Sequence, residues 1–305
     1  MQLCVASSSL VSTPVIEALL EAGHSIVSII TNPDKEKGRG KKVEPNELAM
    51  WAQERGLAVA KPSDVSELNR HLLDAQPQIV VTVAYGRLIP VELLHGPRFG
   101  WINLHFSVLP AWRGAAPVQW ALLNGDSTTG FTIFKLDKGM DTGPFYIQQA
   151  VTIEPADTTE TLLASLGKMG AQSMVELLGV IGKTRATAQP TTGISLAPKI
   201  SKEMAKISFA DPTEIILRKF RALELRPGTW AIFRGERISL HAAHEYFGEN
   251  TLTKTGEIAA AGNELIVRTS DSVIAIAEVT PAGKKRMSAA DFIRGARLEA
   301  GEIFE

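Results

Sequence analysis

Short aliphatic runs alternate with stretches of helical period through the first half of the chain. Residues 3–6, 25–31 and 78–84 are apolar at most positions, the pattern of strands buried on both faces of a parallel sheet. Between them, 13–22, 46–55 and 63–73 carry apolar residues three and four apart, with Gly23 and Gly56 closing the first two. Such spacing and punctuation predict helices, and strand, helix, strand in this order predicts a wound α/β sheet. Three further extended runs, 100–105, 131–137 and 145–152, enclose a predicted helix at 116–123. A long amphipathic helix at about 158–181 then completes the domain.

Residues 182–198 (GKTRATAQPTTGISLAP) are polar and rich in Thr, Gly and Pro, a composition that reads as a linker. Beyond it the pattern changes. A helical segment at 212–222 precedes short strands near 229–233, 237–244, 256–260, 265–268 and 273–279, separated by glycine turns. Regular short strands of this kind predict a small antiparallel, OB-like β-barrel. The expected organisation is a Rossmann-like sheet domain over 1–185, a linker over 186–203 and the barrel over 204–305. A length of 305 residues suits two cores.

Composition narrows the classes. The chain is 45% hydrophobic and 21% charged, which excludes a disordered protein. No apolar run approaches the ~18 residues of a membrane span, and Met1-Gln2 lacks a basic signal-peptide head, so a cytoplasmic protein without membrane association is expected. A single cysteine, Cys4, excludes an internal disulfide and a cysteine-based metal knuckle. With 32 Lys and Arg against 33 Asp and Glu, no global field draws in a polyanion. Local patches do exist: 34–42 holds Lys35, Lys37, Arg39, Lys41 and Lys42 around two glycines, and 199–237 carries a basic excess that includes Lys202 and Lys206. His241 and His244 lack a third ligand of suitable type, so no metal site is expected.

The chemistry concentrates at Asn103 and His105, two apart on an extended run and therefore on one face. They fall at the carboxyl end of a predicted strand, where wound sheets place their ligands. Asp141, in a glycine-flanked loop after another strand, supplies a carboxylate that could reach the imidazole. An amide, an imidazole and an acid together suit attack on a carbonyl: a donor for the oxyanion, a proton carrier, and a group to orient it. Taken alone, an Asn-x-His pair and an Asp in a turn also have ordinary structural uses.

The stretch from Ala84 to Gly143, with N-L-H-F-S-V-L-P at 103–110 and D-K-G-M-D-T-G at 137–143, resembles the signature of the folate-dependent formyltransferases. TNPD at 31–34 with GRGKK at 38–42, VAYG at 83–86, KISKE at 199–203 and TPAGKKRM at 280–287 extend the likeness over nearly the whole chain. The resemblance implies a catalytic set of Asn103, His105 and Asp141. It implies a folate site lined by Ser107, Val108, Leu109 and Pro110, with Val83, Ala84, Tyr85 and Gly86 offering a backbone edge to the pterin. The implied donor is 10-formyltetrahydrofolate and the implied acceptor the α-amino group of methionine on initiator tRNA, met by Arg39, Lys41, Lys42, Lys202 and Lys206. A monomer without a metal is also implied. Asp141 would orient His105, and a protonated His105 would join Asn103 in stabilising the oxyanion.

The chain departs from the family in its first turn, where Ser7, Ser8 and Ser9 replace a Gly-Thr-Pro sequence. Phe106 and Val108 are also unusual at their positions. The same chemistry on an amino-sugar nucleotide is the alternative. A formyltransferase acting on glycinamide ribonucleotide would typically stop after the first domain, and a nicotinamide dehydrogenase would need a glycine-rich first turn.

Overall fold

The computed structural model describes residues 1–37 and 42–305. The chain divides into two compact units, one formed by 1–117, 127–153 and 161–198, the other by 118–126, 154–160 and 199–305.

In the first unit, β1 (Gln2–Ala6), α1 (Thr13–Glu21) and β2 (Ser25–Ile30) come first, followed by a small hairpin of β3 (Lys35–Lys37) and β4 (Lys42–Glu44). Then come α2 (Glu47–Glu54), β5 (Val59–Ala60), α3 (Val65–Ala75), β6 (Ile79–Thr82), α4 (Val91–Leu94) and β7 (Trp101–His105). The remaining elements up to residue 198 are β8 (Arg113–Gly114), α5 (Pro117–Asn124), which belongs to the second unit from residue 118, β9 (Thr128–Lys135), β10 (Phe145–Thr152), α6 (Thr159–Val180), whose first two residues also belong to the second unit, and β11 (Leu196–Ala197). Seven strands form one sheet in the order β10-β9-β7-β6-β1-β2-β5. The five from β7 to β5 run parallel, and β9 and β10 are added antiparallel at the edge.

Burial on both faces explains the apolar strands: β6 is covered at every position and β1 at four of five. One face packs Cys4, Ile30, Val80 and Trp101 against Leu68 and Leu72 of α3 and Leu93 and Leu94 of α4. Local chemistry places the helix starts. Asn46 accepts from the Ala49 amide ahead of α2, and Asp64 accepts from the Glu67 amide while the Glu67 carboxylate reaches back to Ser63, a reciprocal cap.

The polar segment expected as a linker is laced into this unit. Thr187 pairs with Phe145, and β11 lies parallel to β8 with the Ala197 carbonyl accepting from the amides of Ala115 and Ala116. Most of the atoms it bonds to are backbone atoms, for which side-chain composition carries no signal.

The second unit contains α7 (Thr213–Leu223), then β12 (Trp230–Phe233), β13 (Glu236–Glu245), β14 (Ile258–Ala261), β15 (Glu264–Arg268), β16 (Val273–Pro281), β17 (Met287–Ser288) and α8 (Ala289–Ala296). The antiparallel order β12-β13-β16-β15-β14, with β17 beside β16, makes a curled sheet, a half-barrel. Its two edges are bridged by the chain's last residues: Glu305 exchanges bonds with Ile232 of β12, while Phe304 and Glu302 bond to Gly256 and Ile258 at β14. Phe304 stacks on Phe209 at 5.8 Å and meets Phe233 edge-on at 5.7 Å, filling a core shared with Ile216, Phe220, Leu240 and Ile276. Among the described residues, no helix is long and apolar enough to cross a membrane, and no group of three His, Cys, Asp or Glu is arranged to hold a metal ion.

Candidate active site

The carboxyl ends of β6 and β7 and the loops that follow them border a cavity of 460 Å³ in the first unit, lined by Thr82, Asn103, His105, Asp137 and Asp141 among others. Its size falls within the ordinary range for a small-molecule site. Asn103, His105 and Asp141, separated by 38 positions in sequence, share this cavity.

Each of the three is held by a neighbour. The Thr82 hydroxyl donates to Asn103 Oδ1 at 2.7 Å, so the end of the amide left for a ligand is Nδ2, a donor. His105 is 5% exposed and sits edge-on to Phe134. Its Nε2 lies 2.9 Å from the Trp112 carbonyl, which only accepts, so Nε2 carries the proton. Its other nitrogen, Nδ1, lies 3.7 Å from Asp141 Oδ2, a charge contact too long for a direct hydrogen bond. Burial pushes the His105 pKa below its ordinary value, opposed by the Asp141 charge and the Trp112 bond. Nδ1 is thus the nitrogen that faces the carboxylate, and burial disfavours the protonated imidazole expected from sequence. The orienting partner also differs: the Trp112 carbonyl, not Asp141, makes the imidazole's hydrogen bond.

Asp141 has a left-handed backbone, φ 54°, a conformation Asp tolerates better than most residues. Its Oδ2 accepts from the Gly114 amide at 2.8 Å. The preceding turn is closed by Asp137, whose Oδ1 accepts from the Gly139 amide and the Thr142 hydroxyl. Gly143 has no room for a side chain, since a Cβ there would overlap the Lys135 carbonyl.

The stretch Ser107, Val108, Leu109 and Pro110 does not line this cavity. Ser107 and Leu109 are 1% exposed and turned into the protein. Thr132 Oγ1 donates to the Ser107 carbonyl and accepts from the Leu109 amide, Gln148 donates to the Leu109 carbonyl, and Ser107 Oγ donates to the Ala111 carbonyl. This turn brings the chain back so that Trp112 meets His105.

Val83 is likewise fully buried, whereas Ala84, Tyr85 and Gly86 do line the cavity. Two of the expected backbone acceptors each already accept one hydrogen bond, because Ser8 donates its amide to the Ala84 carbonyl and its hydroxyl to the Tyr85 carbonyl. Arg87 fixes the far side by donating to the Pro62 and Ser63 carbonyls. The serine-rich first turn thus supports the cavity wall.

Sequence reasoning passed over Thr82 and Asp137. Thr82 was detectable as the one polar residue in the run 79–83. Asp137 carries the signature of a side chain closing its own turn. Arg39 and Lys41 lie outside the described residues, and the side chain of Lys42 is not described. Lys202 and Lys206 are exposed in the second unit. Lys206 Nζ lies 5.8 Å and the Arg237 guanidinium 4.5 Å from the Trp230 ring centre.

Residues 2–178 match the model described as "Formyl transferase", and residues 199–297 match "Formyl transferase, C-terminal domain". A methionyl-tRNA formyltransferase of Salinispora tropica is 40% identical over 99% of each chain. Among solved structures, HypX from Aquifex aeolicus in complex with tetrahydrofolic acid superposes with a TM-score of 0.70 at 15% identity, covering all of this chain and 50% of that one. This chain therefore spans half the length of HypX. Methionyl-tRNA formyltransferase from Clostridium thermocellum gives a TM-score of 0.61 at 17% identity over 82% of this chain and 95% of that one. At such identities the structural likeness speaks for the fold, while the two consecutive domain matches and the full-length identity carry the assignment: the chain belongs to the formyl transferase family.

Proposed function

We propose that this chain transfers a formyl group from 10-formyltetrahydrofolate to the α-amino group of methionine esterified to initiator tRNA. The observation that carries the reading is the convergence of Asn103, His105 and Asp141 on one cavity, in a chain 40% identical end to end to a methionyl-tRNA formyltransferase.

The proposed roles follow from the geometry. The neutral amine attacks the formyl carbon and its oxygen gains negative charge; Asn103 Nδ2, aimed by Thr82, donates to that oxygen. Removing a donor of this kind costs roughly 3 to 4 kcal/mol in comparable sites. As the C–N bond forms, the attacking nitrogen becomes acidic and gives up a proton. His105 Nδ1 is the available acceptor, because Nε2–H is engaged by Trp112. The imidazolium so formed faces the Asp141 carboxylate at 3.7 Å, which stabilises it. The same proton can then pass to N10 of folate as the C–N10 bond breaks, returning His105 to its neutral form. In this scheme His105 starts as a base and Asp141 acts on the charge it acquires.

We assign the chemistry to the sheet domain, 1–185, and the grip on tRNA to 204–305, joined by 186–203. Lys202 and Lys206 would contact phosphates in that arrangement, with Arg39, Lys41 and Lys42 of the basic stretch at the acceptor end. A monomer suffices, since all three catalytic side chains come from one chain.

The test is formyl transfer to charged initiator tRNA, run beside elongator methionyl-tRNA and an amino-sugar nucleotide. Fast reaction with initiator tRNA alone is expected. Equal rates on the two tRNAs remove the initiator selectivity, and a preference for the sugar nucleotide overturns the reading.

A further inference from the structure

Gln189 lies in the polar stretch before the second unit, a place composition marks as a connection, yet its amide is fully engaged. Nε2 donates to the carbonyls of Asp141 and Gly143, both at 2.8 Å, while Oε1 accepts from Arg113 Nη2 at 2.6 Å. One side chain thus joins the loop that carries Asp141 to the loop that follows Trp112.

The two loops also touch directly, through the Gly114 amide on Asp141 Oδ2. Arg113 and Gly114 are in turn paired with β11. The Asp141 carboxylate is therefore positioned from two sides: Gly114 holds its oxygen and Gln189 holds its main chain. Support at the main chain matters because Asp141 occupies the left-handed region, φ 54°, from which an unsupported residue other than glycine relaxes. Gln189 itself is half-buried and does not line the cavity.

We infer that Gln189 is a positioning residue for formyl transfer, acting through the Asp141 main chain to keep the carboxylate at its distance from His105. The inference rests on the proposed function. It requires the loss to appear in turnover rather than in substrate binding, since Gln189 does not line the cavity and the cavity wall at 84–86 is held independently by Ser8 and Arg87.

Two variants separate the bonds. Gln189→Glu keeps an acceptor for Arg113 but loses both donors to the Asp141 loop, and Gln189→Leu loses everything. With charged initiator tRNA and 10-formyltetrahydrofolate, both variants are expected to lower kcat about 10-fold or more, with each KM within about threefold of wild type. In an Asp141→Asn background, Gln189→Leu is expected to cost less than about threefold, because two changes on one pathway do not add. If Gln189→Glu keeps wild-type kcat, or Gln189→Leu costs its full factor on top of Asp141→Asn, the inference is overturned. Far-UV circular dichroism identifies a variant that fails to fold, and Gln189→Glu, isosteric with the native side chain, remains informative if the leucine variant does. An inactive wild-type chain would overturn the functional reading itself; an active wild type with unaffected Gln189 variants overturns this inference alone.

Discussion

At the residue scale, the site turns on the proton inventory of one imidazole. His105 loses a hydration shell on burial, which disfavours its charged form, and the charged group at its acceptor nitrogen is Asp141. A base must be unprotonated to act. Activity is therefore present above the depressed pKa and lost as pH falls through it, and the acid limb of the kcat profile is expected below the ordinary imidazole value of about 6.5. Asp141→Asn removes a charge that raises this pKa, so the limb is expected to move to still lower pH while the plateau falls. A limb above the ordinary value, or one moved upward by Asp141→Asn, would contradict the assignment of His105 as base. Stability follows the same sign: the unfolded chain takes up a proton that folded His105 refuses, so this residue destabilises the fold as pH drops below the unfolded value.

At the element scale, the serine turn after β1, which stands where the family pattern has Gly-Thr-Pro, supports the wall of the cavity. Ser8 holds the carbonyls of Ala84 and Tyr85, which form part of the cavity wall. Ser8→Ala removes one hydrogen bond of about 1 kcal/mol; a rise of about fivefold in KM for the folate donor is expected, with kcat within twofold, in steady-state assays. The contrast with residues 107–110 shows what could be read from the chain alone. The buried strands and most helices were legible because burial on two faces, or on one stripe, leaves a period in the residue types. Asn103 and His105 were legible as a pair because two positions on a strand share a face. That Ser107 and Leu109 turn inward was not, since a motif reports residues that a family shares without saying whether they face ligand or core. The strap of β11 and Gln189 was hidden for a related reason, as its bonds go mostly to backbone atoms whose partners no composition names. The strands β5, β8 and β11, two residues each, are too short to leave any period.

At the scale of the whole molecule, the second unit closes on its own last residues. Phe304 is 3% exposed between Phe209 and Phe233, and deleting a buried aromatic ring typically costs about 3 to 5 kcal/mol. Phe304→Ala is expected to lower the calorimetric unfolding transition of this unit by several degrees while folate binding to the first unit is unchanged at 25 °C; an unshifted transition would mean the tail does not close the half-barrel in solution. The first unit has its own closure in Gly114, where a Cβ would stand 2.6 Å from the Ala197 carbonyl, and in Gly143 against Lys135. Neither glycine is among the three proposed catalytic residues. In a library randomised at every position and sorted for live enzyme, Gly143, which does not line the cavity, would nonetheless come back almost invariant, so intolerance to replacement marks where main chains abut as readily as where a substrate rests.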